Sequence, residues 1–110
     1  GRDEHVVTPR VVPHDLDQAQ ARTAAEKAFQ SYAERFAKYE PTTKWVTESR
    51  CEIGFNVKGM KVTGVVELVP KQIEIDIEVP FLLRMFKGQA ISVIEGEIRK
   101  WLDKAKAGAI

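Results

Sequence analysis

Residues 73–86 read Ile-Glu-Ile-Asp-Ile-Glu-Val-Pro-Phe-Leu-Leu-Arg-Met-Phe. Ile73, Ile75, Ile77 and Val79 alternate with Glu74, Asp76 and Glu78, so a strand of period two buries one row of side chains and hydrates the other. Pro80 has no N–H to give to a ladder, and its fixed φ suits the first turn of a helix, so the chain is expected to leave the sheet as a helix from Phe81 onward. A half-buried strand feeding an apolar helix locates the core.

Upstream of this strand the same period recurs twice. Cys51, Ile53, Phe55 and Val57 alternate with polar residues or glycine, and Met60, Val62, Gly64, Val66 and Leu68 follow the dipeptide Lys58-Gly59. A two-residue hairpin there sets Val57 opposite Met60, Phe55 opposite Val62 and Ile53 opposite Gly64. A second two-residue loop at Pro70-Lys71 sets Leu68 opposite Ile73, Val66 opposite Ile75 and Gly64 opposite Ile77. Both loops keep the apolar rows on one face, whereas a slip of one residue turns a row to water. Pro at the first loop position requires a turn type other than the usual hairpin turns, or a bulge. Trp45 and Val46 form a short further strand or simply lead into the sheet. Gly64 lies mid-face without a side chain, which admits close packing or, alternatively, an apolar ligand.

Toward the N-terminus, Asp17 with Gln20 three residues on makes a capping box that starts a helix, and Leu16 before the cap can staple onto Ala21. Ala21, Ala25, Ala28, Phe29, Tyr32, Phe36 and Tyr39 form one apolar stripe. Pro41 disfavours helical geometry at Glu40, so this helix is expected to run out near Tyr39. Residues 6–12 are β-branched but contain Pro9 and end at Pro13, which suits an edge strand or an extended arm. At the other end, Ala90, Ile91, Ile94, Ile98, Trp101, Leu102 and Ala105 make a one-sided stripe, with Gly88 as the expected kink or break between it and residues 81–86. The expected fold is α+β: an antiparallel three- or four-stranded meander covered on one face by two helices, with an extra N-terminal edge strand if residues 6–12 pair.

At 110 residues and 44% hydrophobic, residues 1–110 are expected to form a single domain, with 1–10 as a flexible arm. Seventeen Lys and Arg against sixteen Asp and Glu leave a net charge of +1, which argues against nucleic acid as a partner. The single Cys51 and the lack of a leader-like apolar run point to a reducing, cytoplasmic setting, and no stretch approaches the ~18 apolar residues of a transmembrane segment.

No catalytic constellation stands out. His14 and Asp15 could in principle act as an acid–base pair, but capping and first-turn charge explain Asp15 and Asp17. Two histidines and one cysteine make a poor metal set, there is no Gly-rich phosphate loop, and neither a cofactor nor a metal is expected. Cys51, in phase with Ile53, reads as a small buried hydrophobe. Glu52, Glu67, Glu74, Asp76 and Glu78 project from the far sheet face, which an antiparallel sheet commonly leaves wet. Phe81, Leu82, Leu83, Met85 and Phe86 are the sharper case, since one helical stripe cannot bury them all. Burying ~300 Å² of this surface is worth about 7 kcal/mol of gross transfer energy. They are covered within the domain, or they meet a second subunit, a lipid or polymer surface, or an apolar ligand.

Pro13-His14-Asp15-Leu16 before an Ala-rich helix, the Trp-led meander, Val79-Pro80-Phe81-Leu82-Leu83, Phe86-Lys87-Gly88 and residues 94–103 together resemble the small polyhydroxyalkanoic acid system proteins. The resemblance spans residues 11 to about 104. It implies association with bacterial storage-polyester granules or their proteins, and the family has no assigned catalytic residues to carry over. Asp15 departs from the usual Pro-His-Ser/Gln-Leu pattern. The expected function is therefore non-enzymatic: granule association or regulation through Phe81, Leu82, Leu83, Met85 and Phe86, alone or as a homodimer. The alternative is an apolar-ligand or lipid carrier, with a cavity beside Gly64, Ile53 and Ile77.

Overall fold

The computed structural model describes residues 10–108. Five strands form one antiparallel sheet: β1 (Arg10–Pro13), β2 (Thr42–Trp45), β3 (Arg50–Val57), β4 (Met60–Val69) and β5 (Gln72–Glu78), in the order β1-β5-β4-β3-β2. Strands β2 to β5 are a meander, and β1 adds the N-terminal edge strand on the free side of β5. Of the expected stretch 6–12, residues 6–9 lie outside the described residues. Helices α1 (Gln18–Arg35) and α2 (Lys87–Lys106) complete the α+β architecture.

Both hairpins have the register that the alternation requires, with Val57 opposite Met60, Ile53 opposite Gly64, and Leu68 opposite Ile73. Lys58 and Gly59 both have positive φ, 53° and 79°, the requirement of a type I′ hairpin turn. At the second loop only Lys71 is left-handed, with φ 69°, and Pro70 precedes it. Proline first and positive φ second is the type II pattern, which accommodates the proline without a bulge. The inward rows Cys51, Ile53, Phe55, Val62, Val66, Leu68, Ile73, Ile75 and Ile77 are buried, together with Val12 of β1.

The capping box at the start of α1 is complete. The Asp17 carboxylate accepts the Gln20 N–H at 2.8 Å, and the Gln20 side chain accepts the Asp17 N–H at 3.2 Å. Ala21, Ala24, Ala25 and Ala28 are fully buried, small residues that let backbone and neighbour approach closely. The α-helix ends at Arg35, short of the expected Tyr39, and one 3-10 turn (Ala37–Tyr39) carries the stripe on. Phe36 leaves helical geometry at φ −120° and Glu40 is left-handed at φ 52° just before Pro41, so the stripe outlasts the regular helix.

A second difference lies after Pro80. Residues Phe81–Phe86 form a 3-10 helix, and α2 begins at Lys87. The break thus precedes Gly88, which sits in the first turn of α2. Leu83 N–H donates to the Pro80 carbonyl at 2.8 Å, which closes the tighter turn.

Across the helix pair Arg35 of α1 pairs with Glu97 of α2, a buried carboxylate whose other oxygen has no partner among the described residues. Glu95 receives Arg99 one turn on at 2.8 Å and Arg10 from β1, tying the edge strand to α2. Burial works to raise the Glu95 pKa, but the two guanidiniums outweigh it and hold the carboxyl below its ordinary value. A depressed carboxylate contributes stability above its unfolded pKa, and this is lost as pH falls through the folded one. The stability gap between wild type and Glu95→Gln is therefore expected to hold steady near neutrality. It should shrink once pH drops below about 4.3. Urea midpoints measured from neutral to acid pH check this, and a gap independent of pH would refute it.

Candidate functional site

The 3-10 geometry decides what becomes of residues 81–86. With three residues per turn, positions i and i+3 stack on one side. Leu83 and Phe86 therefore face the domain, while Phe81, Leu82, Arg84 and Met85 stand outward. Exposure follows this division: Leu83 is 2% exposed and Phe86 45%, against 70% for Phe81, 75% for Leu82 and 89% for Met85. Leu83, expected in the same contact surface, is instead the anchor that joins this turn to the core cluster. Large apolar side chains exposed side by side on this scale mark contact surfaces rather than scattered surface residues.

Beside the patch opens an apolar groove of about 310 Å³, near the lower end of small-molecule sites. Tyr32 and Phe36 from the end of α1 form one wall, Val57 and Lys58 from the hairpin tip another, and Leu83, Phe86 and Ala90 a third. Phe86 belongs to both groove and patch, so the two are one continuous apolar surface. Burial, reinforced by the nearby Tyr39 phenol, pushes the Tyr32 phenol up to about 12, so it is neutral throughout the physiological range.

Gly64 presents a different picture. A Cβ placed there would lie 2.5 Å from Ile77 Cδ1 and 3.2 Å from Ile53 Cγ1, so the apolar space over this glycine is filled by the side chains expected to line a cavity. The groove is instead at the hairpin tip, where Val57 and Phe86 leave a gap. From the sequence the residues of that gap are separate stripes, and only Leu83 and Phe86 belong to a stretch singled out for function.

The remaining candidates have structural roles. The Leu16 N–H donates to His14 Nδ1 at 3.0 Å, and burial, aided by Lys71 against the opposing pull of Asp15, lowers the His14 pKa. Asp15 lies 3.6 Å from Lys106. Cys51 is buried, and burial pushes its thiol up to about 11. On the outer sheet face Arg50 pairs with Glu67 at 2.9 Å and Gln72 donates to Glu74, so two of the five carboxylates are already engaged. Among the described residues no group of three His, Cys, Asp or Glu side chains is placed to hold a metal ion, and no helix is long and apolar enough to cross a membrane. Arg99, Lys100, Lys104 and Lys106 on the last helix pair with Glu95 and Asp15 or lie over the Trp101 ring.

The sequence reading missed Glu97. It falls three residues after Ile94, inside the apolar stripe of α2, which was the available signal.

No curated protein and no solved structure is detectably similar to the chain. A family model described as "Putative polyhydroxyalkanoic acid system protein" matches residues 11–105, from β1 nearly to the end of α2. The matched span takes in the sheet but for Arg10, all of α1, the exposed 3-10 turn and α2 but for Lys106, and the chain belongs to this family.

Proposed function

We propose that the protein is a non-enzymatic component of a bacterial polyhydroxyalkanoate system that associates in the cytoplasm with storage-polyester granules, or with proteins on them, through Phe81, Leu82, Met85 and Phe86. The observation that carries this reading is the exposed 3-10 turn, held in place from below by Leu83. Contact there removes apolar area from water, the dominant favourable term in most protein association. A non-enzymatic role fits a surface that offers apolar area, while the His14 Nδ1 is committed to a backbone N–H and the buried Cys51 thiol is a poor nucleophile at neutral pH.

Co-sedimentation with isolated granules tests it. Leu82→Asp with Met85→Asp should lower the bound fraction by about tenfold or more, since each places a charge in an apolar contact. Both positions are solvent-exposed, so thermal stability should be almost unchanged. Undiminished sedimentation of the folded double variant would overturn the assignment.

The groove favours a second reading, a carrier of a small apolar ligand. Ala90→Trp, which fills the groove, should abolish binding of such a ligand and leave granule sedimentation intact.

A further inference from the structure

The contact face has a charge pattern that apolar contact does not require. Residues 81–94 contain Arg84 and Lys87 and no carboxylate. The Arg84 guanidinium lies 4.4 Å from the Phe81 ring centroid. Lys58 at the hairpin tip reaches to 5.7 Å from the Phe86 ring, and Lys38 to 5.2 Å from Tyr39 at the groove wall. Among the described residues none of these four cations forms an ion pair, and it is their position beside the exposed apolar side chains and the groove that sets them apart from the other unpaired lysines. Neighbouring carboxylates are turned elsewhere: Glu40 accepts from the Asn56 amide, and Glu78 lies in the outer row of β5. Exposed apolar side chains rimmed by unpaired cations are the pattern of an element that lies in a lipid interface, with apolar groups at the acyl boundary and cations among anionic headgroups.

Resting on the reading that this face is the contact face, we infer that it docks on a lipid surface carrying anionic headgroups. Phe81, Leu82 and Met85 enter the acyl boundary, and Arg84, Lys87, Lys58 and Lys38 meet the headgroup phosphates. Charge complementarity selects this occupant: a bare polyester is neutral and offers the four cations no counter-charge.

The test is sedimentation of the full chain with vesicles of phosphatidylcholine alone, with mixed phosphatidylcholine–phosphatidylglycerol vesicles, and with protein-free polyester particles. Binding to the mixed vesicles should be about tenfold or more tighter than to phosphatidylcholine, and should weaken as salt is raised. Arg84→Gln with Lys87→Gln should lose about 25-fold on mixed vesicles and little on bare polyester, because each cation near an anionic surface is worth roughly fivefold and the two factors multiply. Leu82→Asp should weaken both. Equal binding to neutral and anionic vesicles overturns the inference. So does binding to polyester with none to anionic vesicles, although that result leaves the proposed granule contact standing. Binding to neither overturns the inference and also direct contact with the polyester, which leaves the proposed granule association only through granule proteins.

Discussion

Leu83→Ala is expected to cost about 2–5 kcal/mol, the range for truncating a buried leucine, while Leu82→Ala, one residue earlier, is expected to change stability by no more than about 0.5 kcal/mol. Leu83 is 2% exposed and belongs to the core cluster; Leu82 is 75% exposed. On a domain of this size the first substitution should lower the melting temperature by on the order of 10–30 °C. The pair tests the division of this turn into a buried side and an exposed side. Adjacent residues are about 100° apart in an α-helix and about 120° apart in a 3-10 helix, so in this turn Leu82 and Leu83 point to different sides, one to solvent and the other to the core. Thermal unfolding of the two single variants is sufficient. Comparable losses at both positions would mean that Leu82 is covered in the free protein, and the contact surface would then lose Leu82.

Gly64→Ala is expected to be destabilising by about 1–3 kcal/mol, and Gly64→Val by more, although both raise the β propensity of the position. The added Cβ would lie 2.5 Å from Ile77 Cδ1 and 2.9 Å from the Asp76 carbonyl oxygen. The first contact is with the end of a side chain and the second with backbone, which cannot turn away. Ile77→Val removes that one methyl, so combining it with Gly64→Ala should recover part of the loss but not all of it. The coupling is read from a double-mutant cycle in urea, where residues in contact give interaction energies of about 0.5–3 kcal/mol. Strict additivity would show that the space over Gly64 is open, and an apolar-ligand site beside it would regain its footing.

These two results bear on function from opposite sides. The first isolates the outward residues as free of structural duty, which leaves contact as their use. The second shows that the sheet face is closed by its own side chains, so that any small ligand must use the groove at the hairpin tip.

The element types and the pairing register were legible in the amino-acid order because they rest on local rules. A strand's side chains alternate strictly, so the isoleucines of β5 and the rows of β3 and β4 could share a face only in the register observed. Lys58-Gly59 and Pro70-Lys71 supplied turns compatible with it, and Asp17 with Gln20 marked the start of α1 through hydrogen bonds that span three residues. The five apolar residues after Pro80 carried no such rule. An apolar run has no direction of its own; it states how much surface seeks cover and not which side finds it. That Leu83 and not Leu82 turns inward was decided by the core cluster beneath it. The burial of Glu97 depends in the same way on Arg35, sixty-two positions away, and the groove depends on a hairpin tip meeting the ends of both helices. Periodicity and turn chemistry act over a few residues and are written in the chain; which apolar face is left over is a property of the packed whole.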